Sequence, residues 1–321
     1  MLNTFSQALL CFNPLPLSGG VGGGPLLFID WNPSIEAFTL GPLTVRWYAL
    51  CWVMAILSGY LFVRWMYRQE QIDPAPDKHG KLQPTGKFDP LLFYCFFGII
   101  IGARLGHCLF YEPDYFLGSA KGFWEMFLPI KYDVYPSQWH YTGYAGLASH
   151  GGTIGLFLAI VLYLRRTKLP TMQVLDIFGV TAAMPAAFIR LGNLMNSEII
   201  GSQTDVPWAF LFHTQDALVG GQLVPRHPSQ LYEALAYVVI FLVTLYIYRK
   251  HRHVGSGFYF GFCLAAIFTF RFFIEFLKEV QGGADDGSLP LDMGQLLSIP
   301  FVVAGVWCMV RAWKLKVKSE K

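Results

Sequence analysis

Seven segments of this chain, at about 47–66, 88–111, 147–164, 172–190, 230–248, 256–277 and 293–313, are long apolar runs. Each is near the ~20 residues that an α-helix needs to cross ~30 Å of hydrocarbon. The fourth is the least apolar, because Asp176 lies inside it. Charge is scarce to match: 14% of the 321 residues are charged and 54% are hydrophobic, against about 25% charged in an average soluble domain. Twenty-eight Phe, 16 Tyr and 9 Trp accompany them. This excludes a disordered chain, a coiled coil and an ordinary soluble enzyme. The predicted fold class is all-α, a polytopic integral membrane protein of seven transmembrane helices. No segment repeats at a fixed period, and the longest connections, 112–146 and 191–229, are rich in aromatics, Gly and Pro.

Charge asymmetry orients the spans. Sixteen of the 24 Lys and Arg fall in the connections after spans one, three, five and seven, from Arg64 to Lys87, Arg165 to Lys168, Arg249 to Arg252 and Arg311 to Lys321. The positive-inside rule then puts the N-terminus outside and the C-terminus in the cytoplasm, which an odd number of spans permits. The expected organisation is an extracytoplasmic N-terminal segment (1–44), a single seven-helix transmembrane catalytic domain (45–313) and a basic cytoplasmic tail (314–321). The net charge of +3 gives no reason to expect nucleic acid.

Six cysteines, Cys11, Cys51, Cys95, Cys108, Cys263 and Cys308, form no CxxC or Cys/His cluster, so no metal is expected. Thiols within apolar runs are usually small buried hydrophobes. The N-terminal MLNTFSQALLCFNP lacks the basic start and clean apolar core of a signal peptide. The Gly-rich stretch at 18–24 follows no strand and carries no Lys-Ser/Thr, so it reads as a linker and not a phosphate loop.

Charged residues inside spans carry the functional signal. Arg104, Arg190 and Arg271 lie on three different helices, roughly 21–27 Å from the cytoplasmic face. An arginine at such depth costs several kcal/mol unless it meets a partner, water or an anion. Each could snorkel to the headgroups or pair internally, and Arg271 stands one turn from Glu275 with which it could pair. Arg104 and Arg190 have no such local partner. The guanidinium fork matches two phosphate oxygens, and phospholipid headgroups are the abundant anion there. The arginines therefore point to a site handling anionic lipid from the outer leaflet.

His150 stands before Gly151 and Gly152 near the outer end of span three. It reads either as a packing residue or as a general base, with the two glycines letting a backbone or a substrate come close. Arg190 to Gly201 crowds Arg190, Asn193, Asn196 and Glu198 onto the end of span four. Gly and Asn there could simply cap a helix. A polar stripe of these side chains would otherwise have to face the bundle interior.

These residues resemble the signature of the bacterial prolipoprotein diacylglyceryl transferase family, G-R-x-G-N-F-x-N-x-E-x-x-G. Ile189 replaces its first Gly and Leu194 its Phe, and the polar set is intact. Val45-Arg46-Trp47-Tyr48, Gly102-Ala103-Arg104-Leu105-Gly106, Ser149-His150-Gly151-Gly152-Thr153-Ile154-Gly155, His227-Pro228-Ser229-Gln230-Leu231-Tyr232-Glu233 and Phe270-Arg271-Phe272-Phe273-Ile274-Glu275-Phe276 are similar to further family motifs, in order. The resemblance implies a transferase of the bacterial inner membrane, its active site towards the outer leaflet, acting in the first step of lipoprotein maturation. It moves a diacylglyceryl group from phosphatidylglycerol to the lipobox cysteine of a prolipoprotein, forms a thioether, releases glycerol 1-phosphate and uses no cofactor. It implies His150, Arg190 and Arg271 in catalysis. Tyr48, Arg104, Gly151, Gly152, Asn193, Asn196, Glu198, Gly201 and Glu275 would bind substrate. The rival reading is a lipid or anion transporter or flippase, which also buries charges in spans; against it, no inverted or parallel repeat is visible.

Overall fold

The computed structural model describes residues 14–16, 27–41, 43–72, 74–76, 82–84, 88–128, 130–133, 138–141, 146, 148–251, 254–279 and 291–319. Cys11, the Gly-rich stretch at 18–24, Lys78, Lys81, Lys87, Arg252 and Lys321 lie outside them. In chain order the elements are β1 (Pro14–Pro16), β2 (Leu27–Trp31), β3 (Glu36–Leu40), β4 (Leu43–Arg46), α1 (Trp47–Gln69), β5 (Pro74–Pro76), β6 (Leu82–Pro84) and α2 (Phe88–Phe110). Then come α3 (Pro113–Leu117), α4 (Ala120–Phe127), β7 (Ile130–Asp133), β8 (Gln138–Tyr141), α5 (Ser149–Thr167), α6 (Thr171–Thr181) and α7 (Ala183–Met195). The chain closes with β9 (Phe210–Phe212), β10 (Pro225–Arg226), α8 (Ser229–His251), α9 (Phe258–Ile274), a 3₁₀ turn (Glu275–Leu277) and α10 (Met293–Ser319). Two compact units result, Met1–Met66 with Met172–Lys321, and Tyr67–Thr171.

Every predicted apolar run is helical. Five helices are long and apolar enough to cross a membrane: α1, α2, α8, α9 with its 3₁₀ turn, and α10. The fourth run is two helices, α6 and α7, bent by 43° and counting as a sixth candidate if taken as one span. Pro185, inside α7, has no N–H to give the carbonyl four residues back, which explains the break at Ala182. Helix α5 opens on Ser149-His150 and closes on Arg165-Arg166, so it is less apolar than the five.

Asp176, inside α6, is not a flaw in a span. Its buried carboxylate accepts backbone N–H bonds from Gly255 (2.8 Å), Gly257 (2.9 Å) and Phe260 (3.0 Å), capping α9 across 79 to 84 residues of sequence. A negative charge at a helix N-terminus is also favoured by the helix dipole. Gly255 and Gly257 adopt φ of 100° and 87°, which only glycine adopts freely, and so bring these donors round. Asp176→Ala should leave the donors unmatched and cost about 2–5 kcal/mol, with Asp176→Asn intermediate. Thermal unfolding in detergent measures this; an unchanged midpoint for the Ala variant would sink the capping role.

The all-α expectation needs one correction: the first unit also carries a four-stranded sheet in the order β1-β2-β9-β10, with β2 parallel to β9. All three side chains of β9 are buried. It therefore shows no alternation for sequence reading to find. Phe210 and Phe212 pack with Trp31, Leu194 and Ile200. Trp31 Nε1 donates to the Leu194 carbonyl at 3.0 Å, fixing the sheet to the end of α7.

In the second unit, α2 and α5 pack through small residues, Gly98, Gly102 and Gly106 against Gly151, Gly155 and Ala159. A Cβ at Gly102 would overlap the Gly151 carbonyl oxygen, and one at Gly155 that of Gly98. Such close approach supplies dispersion contact where lipid offers no hydrophobic drive. An apolar groove of about 590 Å³ lies over this seam, walled by Phe97, Ile101, Leu105, Ile154 and Leu158 among others. The following helix α4 is inverted: Glu125 and Met126 are buried while Phe123, Trp124 and Phe127 are exposed.

Candidate active site

Helix α7 ends at Met195, with Asn196 as its C-cap. Ser197 and Ile199 then take left-handed backbone angles, φ 52° and 57°. For a β-branched residue such as Ile199 this is a strained conformation, of the kind held where surrounding structure fixes it. The turn swings the Glu198 carboxylate back, where it accepts from Asn193 Nδ2 (3.1 Å) and Asn196 Nδ2 (2.7 Å). Sequence spacing suggested adjacent helical positions for Asn193 and Asn196 and left Glu198 open; the reversal, not the helix, brings Glu198 in. Buried residues at the start of α8 hold the turn. Ser229 Oγ donates to the Ile199 carbonyl (2.7 Å) and Gln230 Nε2 to the Glu198 carbonyl (2.5 Å).

Gly201 lies where three segments cross. Its N–H donates to the His227 carbonyl at 3.0 Å, and a Cβ there would overlap that same oxygen. Arg226, almost wholly buried, donates to the Gly201 (3.2 Å) and Ala217 (3.0 Å) carbonyls and pairs with Glu279. This arginine serves the fold. Burial holds the His227 imidazole below its ordinary pKa, with Nδ1 3.2 Å from Tyr232 Oη.

The charged centre is built on α7, α8 and the end of α9. Arg190 Nε is 3.1 Å from Oε2 of Glu233, whose side chain is wholly buried. Arg190 Nη1 also donates to Asn193 Oδ1 at 3.4 Å, joining the ion pair to the Asn193–Glu198 turn. Lys278 Nζ bridges Glu233 Oε1 (3.3 Å) and Glu275 Oε2 (3.1 Å). Tyr237 Oη donates to Glu233 Oε1 at 3.5 Å, is hydrogen-bonded with Arg190 and lies within electrostatic reach of Arg271. The sequence pairing of Arg271 with Glu275 does not form. At Glu275 the helix tightens into a 3₁₀ turn, and the carboxylate meets Lys278 instead. Among the described residues, Arg271 has no ion pair. Three cations, Arg190, Arg271 and Lys278, thus meet the carboxylates of Glu233 and Glu275 and, through Asn193, that of Glu198. Arg271, with no ion pair among the described residues, leaves a guanidinium here that fits an anion.

Tyr48, at the start of α1, packs on Gly192, where a Cβ would come 2.9 Å from its ring. That seats the tyrosine beside the Asn193 turn. His150, Gly151, Gly152 and Arg104 belong to the second unit. His150 is exposed in the first turn of α5. Of its two glycines, Gly151 is consumed by contact with α2, whereas a Cβ at Gly152 meets Ala103 at an ordinary 3.5 Å. Arg104, without a partner in sequence reading, donates to the Glu125 (2.7 Å) and Met126 (3.2 Å) carbonyls and lies 4.9 Å over the Phe116 ring.

Sequence reasoning assigned no role to Glu233, Tyr237, Lys278 or Gly294. Arg271, Glu275 and Lys278 recur at helical spacing, as do Glu233 and Tyr237, a signal for the first three. Gly294 gave none. A Cβ there would come 2.5 Å from the Glu275 carboxylate, so its glycine clears space for that group.

A family model for prolipoprotein diacylglyceryl transferase matches residues 35–311. A curated phosphatidylglycerol–prolipoprotein diacylglyceryl transferase of Bacteroides fragilis is 51% identical over 285 residues, covering 88% of this chain and 95% of that protein. Relatives of the same name from Porphyromonas gingivalis (39%, covering 91% and 98%) and Tolumonas auensis (38%, covering 90% and 99%) also match. The chain belongs to the prolipoprotein diacylglyceryl transferase family. With its apolar helices, this makes it a multi-pass membrane protein.

Proposed function

We propose that this member of the prolipoprotein diacylglyceryl transferase family transfers the diacylglyceryl group of phosphatidylglycerol to the lipobox cysteine of prolipoproteins. The observation that carries the reading is that Arg271, beside the Arg190–Glu233–Lys278–Glu275 cluster, has no ion pair among the described residues. Such a centre suits a lipid phosphate, and the relatives favour transfer over the transporter alternative.

The chemistry follows from the bonds exchanged. The cysteine sulfur attacks the glyceryl carbon that carries the phosphate ester; a C–S bond forms and the C–O bond breaks. Glycerol 1-phosphate departs with the electron pair. A thiol near pKa 8.5 is a poor nucleophile until it loses its proton, and His150 is the base that takes it. Arg190 and Arg271 stabilise the charge growing on the leaving phosphate. Tyr48, Asn193, Asn196, Glu198, Gly201 and Glu275 shape and hold the substrate site, while Arg104, Gly151 and Gly152 support lipid binding. No cofactor enters.

The enzyme works in the bacterial inner membrane among its lipids, open to the outer leaflet. Seven spans in one transmembrane domain (45–313) follow an outer N-terminal segment (1–44), and a basic tail (314–321) ends in the cytoplasm. The excess of basic residues on one side supports this orientation. A tag at position 20 should then be labelled from outside the cell and one at 318 only after permeabilisation. Labelling of both from one side would overturn the seven-span topology.

The decisive assay uses purified protein, phosphatidylglycerol and lipobox peptides that carry Cys or Ser. Transfer to Cys but not Ser supports thiol alkylation. No transfer to Cys, or equal transfer to Ser, refutes it.

A further inference from the structure

We propose that Glu233 is the positioning residue for Arg190, setting the plane of its guanidinium so that the remaining donors face the lipid phosphate; this rests on the transfer reaction above. Glu233 is wholly buried, at the start of α8, and it touches the charged centre on two sides. Oε2 is ion-paired with Arg190 Nε at 3.1 Å without a hydrogen bond between them, while Oε1 takes Lys278 Nζ at 3.3 Å and Tyr237 Oη at 3.5 Å. A buried carboxylate without cations would be costly, so these contacts fix its rotamer as firmly as it fixes theirs.

The edge it occupies matters. A guanidinium presents two faces of its fork, and a buried carboxylate charge beside Nε draws the group to its own side while leaving Nη donors over. Asn193 takes one Nη1 donor at 3.4 Å. Arg190 is therefore held by the Glu233 charge, the Asn193 amide and the Tyr237 hydroxyl, and the N–H groups left over are preset for an anion. Lys278 balances the rest of the Glu233 charge and is itself steadied by Glu275 at 3.1 Å. Without Lys278, Glu233 would compete with the phosphate for Arg190. With it, the carboxylate can aim the arginine without neutralising the site.

The test is a double-mutant cycle read as transfer rate against phosphatidylglycerol concentration, each variant normalised to folded protein. Glu233→Gln should lower kcat on the order of 10- to 100-fold and shift KM less than about 3-fold, because preset donors act where charge develops. Arg190→Lys with Glu233→Gln should be no slower than Arg190→Lys alone, since a residue acting through Arg190 has nothing left to aim. Multiplying effects, or an E233Q kcat equal to wild type, would overturn the proposal. A residue that only supported folding would reduce the yield or unfolding temperature and leave kcat per folded molecule unchanged. Should E233Q fail to fold, Glu233→Asp keeps the charge on a shorter arm: a reduced kcat with unchanged KM supports aiming, and wild-type kcat refutes it. Wild-type protein that transfers nothing refutes the reaction itself and this role with it, whereas active wild type beside an unaffected Glu233 variant refutes the role alone.

Discussion

Replacing His150 with Ala should lower transfer by about 10²- to 10⁴-fold, the range that one positioned general base contributes, while leaving the fold intact. The side chain is exposed and makes no hydrogen bond among the described residues, so its loss opens no cavity and orphans no partner. Its neighbours need separating from it. Gly151→Ala would drive a methyl into the Gly102 carbonyl and spoil the α2–α5 seam, an overpacking error that costs about 1–3 kcal/mol. Gly152→Ala meets only the Ala103 methyl at 3.5 Å and should fold normally. Rate and unfolding temperature, measured together on the three variants, distinguish chemistry from packing. His107 is a fair control, since its ring occupies the space beside Gly146 and stacks on Tyr111; replacing it should slow transfer far less. Wild-type turnover by His150→Ala would remove His150 from the mechanism.

Hydropathy made the helices legible because the bilayer imposes one length and one polarity on every span. What it could not show was how one span breaks or caps another. Asp176 looked like a blemish in a hydrophobic run, yet it is the N-terminal cap of α9, supplied from 79 or more residues away. Capping of that range leaves no local signature. The sheet failed for a related reason: Phe210-Leu211-Phe212 is buried throughout and too short for any period to emerge.

The site divides along the same line. Arg190, Asn193 and Glu198 were legible because polar side chains at the end of a span need a reason to be there. Their geometry was not, since it depends on positive φ at Ser197 and Ile199, residue types that do not announce it. Local spacing also misassigned the partners. It joined Arg271 to Glu275, but the 3₁₀ turn gives Glu275 to Lys278, and Arg190 finds Glu233 on another helix. Gly151 and Gly152 were read as letting a backbone or a substrate come close; at Gly151 it is a backbone, the carbonyl of Gly102.

Because Arg271 has no ion pair among the described residues and Arg190 is held at only part of its fork, lysine should serve poorly at both positions. Lysine keeps the charge but loses the planar, two-pronged donor. A charge-assisted bond made to the departing phosphate is worth on the order of 2–4 kcal/mol, or roughly 30- to 1,000-fold in rate. Arg190→Lys and Arg271→Lys should each lose that much in kcat, and added phosphatidylglycerol should not restore it. Arg104→Lys should behave differently. Its guanidinium holds the carbonyls of Glu125 and Met126, so its loss should appear as weaker lipid affinity or lower stability, with kcat near wild type at saturation. Transfer rate against lipid concentration for the three variants separates these cases. If Arg190→Lys and Arg271→Lys both regain the full rate at saturating lipid, the two arginines bind the ground state only, and the leaving phosphate is stabilised by other groups.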